Sequence, residues 1–236
     1  MGNDYFHFKQ FTINQDKCAF KVGTDGVILG AWADIKGKIK ILDIGTGTGL
    51  IALMLAQRSG AEIVALEPDY DSFIQASENI KQSKWRSRIR IENKCLQDFA
   101  CGNERFDLIV TNPPYFTNSL KNPDAVKSVA RHDVTLTRED LLQGVSVLLK
   151  ERGLFQLILP YTEGLMFIAE ARDYGFFCNS ILKVKPLPSS QIKRLVLGFS
   201  RKRLKPAEKF LTIEKGRRHD FTNEYINLTK EFYLKF

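Results

Sequence analysis

Apolar positions along this chain switch between a period of two and a period near 3.6, and the switches mark out strands and helices in alternation. Short apolar runs at 40–44, 63–67, 89–92 and 106–111 have strand length, while 49–58 and 70–83 have helical composition and length. Pro68 ends the second of these strands, and Asp69 is placed to cap the helix after it. Farther on, Leu141, Leu142, Val145, Leu148 and Leu149 recur at helical spacing, which predicts a core-facing helix over 138–150 ended by Gly153. A continuous apolar strand at 154–159 stops at Pro160, and a helix at 163–174 is closed by Gly175. Strands at 178–185 and 193–200 then flank the turn Pro186-Leu187-Pro188-Ser189-Ser190. The lead before residue 38 is irregular, with a helix near 24–32 and Thr24 or Asp25 as its N-cap. Alternating strand–helix units imply an α/β fold with a mostly parallel sheet and right-handed crossovers. The last two strands lack a helix between them, so they predict a C-terminal hairpin that leaves one antiparallel strand in a mixed sheet.

The first strand runs into Gly45-Thr46-Gly47-Thr48-Gly49 and then into the apolar helix, which is the opening of a Rossmann-like unit. Glycines there let a ligand approach the backbone at a helix N-terminus. The spacing is G-x-G-x-G rather than the G-x-G-x-x-G of dinucleotide sites, and Asp43 lies two residues ahead of it. A carboxylate at that point repels a pyrophosphate and suits a cation or an amine. Glu67, at the end of the second strand, is placed to accept hydrogen bonds from ribose hydroxyls. S-adenosylmethionine has a sulfonium, an amino group, a ribose and an adenine, and it carries no phosphate.

The strand at 106–111 runs into Asn112-Pro113-Pro114-Tyr115. Two prolines can continue neither a helix nor a central strand, so the chain turns sharply. An amide side chain, a carbonyl and an aromatic ring are thereby held together, a set suited to gripping a planar amino group. An ordinary strand-terminating turn has the same local signals.

Together, Asp43 to Gly49, Glu67, Asp98-Phe99 and Asn112 to Tyr115 resemble a class I S-adenosylmethionine-dependent methyltransferase of the branch that modifies planar nitrogens. Phe8-Lys9-Gln10-Phe11, the block from Lys21 to Trp32, and Arg131-His132 are similar to the bacterial tRNA(Val) adenine-37 N6-methyltransferases. The resemblance covers the whole chain in matching order. It implies Asn112, Pro113, Pro114 and Tyr115 as the catalytic residues, with Tyr115 stacking on a flipped-out base. It implies Asp43, Gly45, Thr46, Gly47, Gly49, Glu67, Asp98 and Phe99 around S-adenosylmethionine, with Asp98 at the cofactor's adenine amino group and Phe99 beside it. Lys21, Thr24 and Asp25 either line that pocket or cap a helix, and Arg131-His132 meets RNA phosphate or packs a loop. No metal is called for.

Composition narrows the partners. At 236 residues, 44% hydrophobic and 26% charged, the chain is long enough for one continuous core. It reads as a single methyltransferase domain: a lead at 1–38 closing the cofactor and substrate site, a core at 39–200, and a basic extension at 201–236. No apolar run reaches membrane-spanning length, no signal peptide is visible, and Cys18, Cys95, Cys101 and Cys178 lack Cys-x-x-Cys spacing. A cytoplasmic protein with reduced thiols is the expectation. The net charge is +8, and from Lys183 onward there are 14 Lys and Arg against 5 Asp and Glu. Arg201, Lys202, Arg203, Lys205, Arg217 and Arg218 lie in the densest runs and form an expected contact surface for tRNA; a solvated basic face is the plainer alternative. The polar segment at 118–133 suits a mobile loop over the site.

The expected activity is N6-methylation of an adenine in a tRNA anticodon loop, with position 37 of a valine tRNA as the target that the resemblance implies. N5-glutamine methylation of a protein release factor uses the same tetrapeptide, but that family carries a helical N-terminal domain where this chain has about 40 residues before its glycine loop. Base methylation of ribosomal RNA is another alternative, and a non-catalytic RNA-binding module is the alternative from a different class.

Overall fold

The computed structural model describes residues 3–18, 20–114, 116 and 136–236. Tyr115, Arg131-His132 and the segment at 118–133 thus lie outside the described residues. A small hairpin of β1 (Tyr5–His7) and β2 (Thr12–Asn14) leads into α1 (Thr24–Trp32). The core follows as β3 (Lys40–Ile44), α2 (Leu50–Arg58), β4 (Glu62–Leu66), α3 (Tyr70–Gln82), β5 (Ile89–Glu92), α4 (Leu96–Ala100) and β6 (Phe106–Thr111). After the Pro113-Pro114 turn come α5 (Arg138–Leu148), β7 (Leu149–Pro160), α6 (Tyr161–Glu170) with a 3₁₀ turn (Ala171–Tyr174), β8 (Phe177–Lys185) and β9 (Arg194–Ser200). The chain ends with β10 (Ala207–Thr212) and α7 (Asn223–Thr229).

Eight strands form one sheet in the order β10-β8-β9-β7-β6-β3-β4-β5. Every pairing is parallel except those of β9 with β7 and β8, so β9 alone runs against the rest. The mixed sheet and its C-terminal hairpin are as the sequence predicts. Apolar residues alternate between two core layers because both faces of the sheet are covered. Ile41, Ile63, Leu108 and Val110 pack under α1, α2 and α7, while Leu42, Val64, Ile109 and Leu157 pack under α5 and α6.

Four details depart from expectation. The helix predicted to run to residue 150 stops at Leu148, because Leu149 pairs with Phe106 and starts a 12-residue strand across a register shift. The cap of α1 is Gly23, without a side-chain hydrogen bond; Asp25 instead takes the Arg194 guanidinium at 2.7 Å. A short helix, α4, absent from the sequence pattern, carries Asp98-Phe99 just after β5. Finally, the extension after residue 200 adds a parallel edge strand, and it returns to the lead: Lys9 donates its backbone N–H to Phe232 and its ammonium to the carbonyls of Lys230 and Phe236.

Candidate active site

The glycine loop leaves β3 and is pinned at once to the next strand, the Thr46 N–H donating to the Leu66 carbonyl at 2.9 Å. Gly45, Gly47 and Gly49 have φ of 67°, 56° and 83°, a region where a side chain costs about 1–2 kcal/mol. A Cβ added at Gly45 or Gly47 would meet nothing within 4 Å, so the backbone lies bare beneath open space. At Gly49 it would touch Ala76, so that glycine serves close packing on α3.

Asp43 is fully buried. Its Oδ2 accepts from the Thr46 hydroxyl at 2.6 Å and the Ala52 N–H at 3.1 Å, whereas Oδ1 has no partner among the described residues. Burial pushes its pKa up to about 7; the Thr46 hydroxyl and Ala52 N–H oppose that rise, and the nearby Glu67 carboxylate adds to it. Glu67 is also buried, its Oε2 accepting from the Gly47 N–H at 2.8 Å and its Oε1 from the Asp69 N–H at 3.0 Å. Burial raises its pKa, and those two N–H groups hold the rise down. Asn79 on α3 clasps the lead to the loop, donating to the carbonyls of Thr48 at 2.9 Å and Asn14 at 2.8 Å.

The turn expected to be catalytic, which opens at Asn112-Pro113, follows β6, which is hydrogen-bonded directly to β3, with Thr111 opposite Ile44. The buried Thr111 hydroxyl donates to the Ile44 carbonyl at 2.8 Å, one residue before Gly45 on one strand and one before Asn112 on the other. The two motifs, more than 60 residues apart in sequence, therefore leave the sheet side by side. Asn112 is half-buried, Pro113 buried and Pro114 exposed. A Cβ on Gly26 of α1 would lie 3.1 Å from Leu50 and 3.9 Å from the Asn112 side-chain nitrogen, so α1 reaches over this turn. Thr111 and Asn79 have no site role in the sequence reading, and Gly26 enters it only within the block from Lys21 to Trp32. Thr111, the last strand residue before a Pro-Pro turn, carried the one local signal.

Asp98 is exposed in the first turn of α4, beyond the end of β5 on the same edge as Glu67, and Phe99 is buried against Phe106 with ring centroids 6.1 Å apart. Strand directions separate the basic runs. Lys215, Arg217 and Arg218 follow the C-terminal end of β10, on the edge that carries Asn112, whereas Arg201, Lys202, Arg203 and Lys205 lie at the opposite edge, roughly 20 Å away along the strands. Arg201 is also engaged by the fold. It donates to the Ser146 carbonyl at 2.6 Å and lies over the Phe176 ring at 5.1 Å. Among the described residues no group of three His, Cys, Asp or Glu is arranged to hold a metal ion, and no helix is long and apolar enough to cross a membrane.

Open space over left-handed glycines, two buried carboxylates and no basic side chain in the loop fit a cationic, hydroxyl-bearing ligand better than a phosphate. Comparisons with known proteins agree. Residues 28–142 match the family model described as the methyltransferase small domain. A curated tRNA1(Val) (adenine(37)-N6)-methyltransferase from Trichodesmium erythraeum is 48% identical over 241 residues, with both chains fully covered. The chain belongs to this methyltransferase family. A second member, from Bacteroides fragilis and of the same description, is 46% identical over 237 residues, again covering all of both chains. The fold extends to more distant methyltransferases. A solved structure described as a predicted O-methyltransferase from Agrobacterium tumefaciens superposes with a TM-score of 0.69 at 20% identity, covering 88% of this chain and 96% of its own.

Proposed function

We propose that this chain transfers the methyl group of S-adenosylmethionine to the N6 amino group of an adenine in a tRNA anticodon loop, at position 37 of a valine tRNA, in the cytoplasm. The observation that carries methyl transfer is the adjacency of Ile44 and Thr111, which brings the glycine loop beside Asn112-Pro113. The full-length identity to members named for this reaction supports the nucleoside target.

When bound, the cofactor supplies an electrophilic methyl on a sulfonium. Gly45, Thr46, Gly47 and Gly49 would let it approach the backbone, with Asp43, once ionised, as the negative partner of its charge and Glu67 at its ribose hydroxyls. Asp98 and Phe99 would border its adenine. The exocyclic nitrogen of adenine is a weak nucleophile because its lone pair is delocalised into the ring. The Asn112 side-chain oxygen and the Pro113 carbonyl accept its two N–H groups, which frees the lone pair to turn toward the methyl and stabilises the positive charge that develops. Tyr115 stacks on the extruded base, as loop bases are commonly held. Pre-alignment of nitrogen, methyl and sulfur supplies much of the remaining acceleration. The methylated nitrogen then loses its proton to water. On this reading the lead and the basic extension belong to one catalytic unit, and the Lys215–Arg218 run, on the edge that carries the turn, is the better placed phosphate contact.

The test is incubation with methyl-labelled S-adenosylmethionine and separate pools of tRNA, ribosomal RNA, DNA and release factor, followed by nucleoside mapping. Label in N6-methyladenosine at position 37 of a valine tRNA is the expected result. Label appearing only in protein, or only in ribosomal RNA, overturns the reading.

A further inference from the structure

Glu163 is a buried carboxylate outside the motifs described above, and its surroundings point to a purpose. It is the third residue of α6, a position from which an acid commonly turns back to bond the N–H of the cap residue. Here the cap is Pro160, which has no N–H, so that use is closed. The side chain, in a residue only 5% exposed, instead reaches across to the other segment, where its Oε2 accepts the backbone N–H of Phe116 at 3.0 Å. One turn along α6, Phe167 stacks on the Phe116 ring, with centroids 6.4 Å apart and planes 16° from parallel. The Arg138 guanidinium lies 5.7 Å from the same ring and is itself held by Glu170 at 2.8 Å. Residue 116 is thus gripped at its backbone and at its ring.

Only Pro113, Pro114 and Tyr115 separate that grip from Asn112. Two prolines in so short a span pass an anchor at one end on to the other, because each fixes its own φ. At the near end the Thr111 hydroxyl is tied to Ile44. The residues that flank Asn112-Pro113-Pro114 are therefore held on both sides, Thr111 by the sheet and Phe116 by α6.

We propose that Glu163 is a positioning residue for methyl transfer, its carboxylate setting through the Phe116 N–H the angle at which Asn112 and the Pro113 carbonyl meet the target nitrogen. This rests on the reading of Asn112–Tyr115 as the catalytic turn. The acceptor oxygen matters here, and the negative charge does not: Glu163→Gln keeps an acceptor at the right length, and Glu163→Leu removes it.

The experiment compares the two variants in single-turnover methylation at saturating tRNA and cofactor, with cofactor affinity measured by calorimetry and folding by thermal melting. Glu163→Leu is expected to lose about tenfold to a hundredfold in the methyl-transfer rate, the scale of a small misplacement of reacting groups, with cofactor affinity unchanged. Glu163→Gln is expected to restore most of the rate. A wild-type rate in Glu163→Leu overturns the inference, as does a parallel loss of rate, cofactor affinity and melting temperature in both variants. If Glu163→Leu does not fold, Phe167→Leu, which loosens the grip on the Phe116 ring, takes its place: a slower rate with intact cofactor binding supports the inference and an unchanged rate overturns it. Asn112→Ala run alongside separates the two ideas. An active Asn112→Ala defeats the catalytic reading itself, whereas an inactive one with a fully active Glu163→Leu defeats only the role of Glu163.

Discussion

On the proposed reading the site has a cofactor half and a substrate half, and the two are held in different ways. The cofactor half is largely self-contained: Asp43, Thr46, Gly47, Ala52, Glu67 and Asp69 bond one another within a stretch of 27 residues. The substrate half is held from a distance. Phe116 is fixed by Glu163, 47 positions on, and α1, which reaches over the turn, is tied through Asp25 to Arg194, 169 positions away. A self-bonded loop can keep its shape whenever its two strands pair, whereas the contacts at Asn112 and Phe116 come from α1 and α6, which β9 and α5 in turn engage. The contrast predicts that damage to the loop is felt in cofactor affinity and damage to the turn in rate.

The sharpest test of that division is Asn112→Ala. Removing one acceptor aimed at developing charge is expected to slow methyl transfer by about a hundredfold to a thousandfold. Cofactor affinity, measured by calorimetry, should stay within experimental error; a matching loss of affinity would erase the division. Next in size is Gly47→Val. Its φ of 56° and the bare space above it make a branched side chain both strained and obstructive, so cofactor affinity should fall by about tenfold or more. The rate at saturating cofactor should recover substantially, the opposite signature to that of Asn112→Ala.

A smaller effect comes from Asp43, whose pKa stands at about 7 against 3.8 in an ordinary aspartate. Between about pH 4 and pH 7 the folded chain keeps a proton that the unfolded chain has lost, so this group lowers stability as pH rises through that window and has no further effect above it. A cation bound nearby favours the ionised form. Cofactor affinity should therefore rise by a few-fold, about what one titrating group gives, between pH 6 and pH 8, with a proton released on binding. Calorimetry in two buffers of different ionisation enthalpy measures that release. Asp43→Asn should flatten the difference, and an unchanged profile in the variant would assign the titration elsewhere.

The same division explains what the sequence made legible. The glycine spacing, Asp43 and Glu67 could be read because their partners lie close by in the chain, and the strand ending in Thr111 could be read because two prolines follow it. Glu163 could not, since a Glu near a helix start is ordinary and its partner is a backbone N–H that sequence does not advertise. Nor could β10. Its pattern is exposed along most of its length, because an edge strand buries only one flank, and Leu211 alone in it is buried. Charge counting found the basic extension without its direction, which only strand order supplies. Nor does a count show that Arg201 also bonds the Ser146 carbonyl and lies over the Phe176 ring.

Direction also yields the smallest and most discriminating effect. Arg217 and Arg218 are exposed beyond the end of β10, on the edge that carries Asn112, four strands from β6 and so roughly 20 Å to one side at the spacing of a sheet. A tRNA whose loop enters the turn can lay a phosphate strand across that interval. Lys202 and Arg203 are equally exposed but face the far edge. Each neutralised phosphate contact should lower the slope of log affinity against log salt by about 0.7–0.9. Arg217→Gln with Arg218→Gln is therefore expected to flatten the salt dependence of tRNA binding and weaken it several-fold at moderate salt, about the scale of two lost ion contacts. Lys202→Gln with Arg203→Gln should leave both close to the wild type. Equal losses from the two pairs would mean that the tRNA wraps the sheet rather than resting on one edge, and a loss from the second pair alone would put the phosphate path on the far edge.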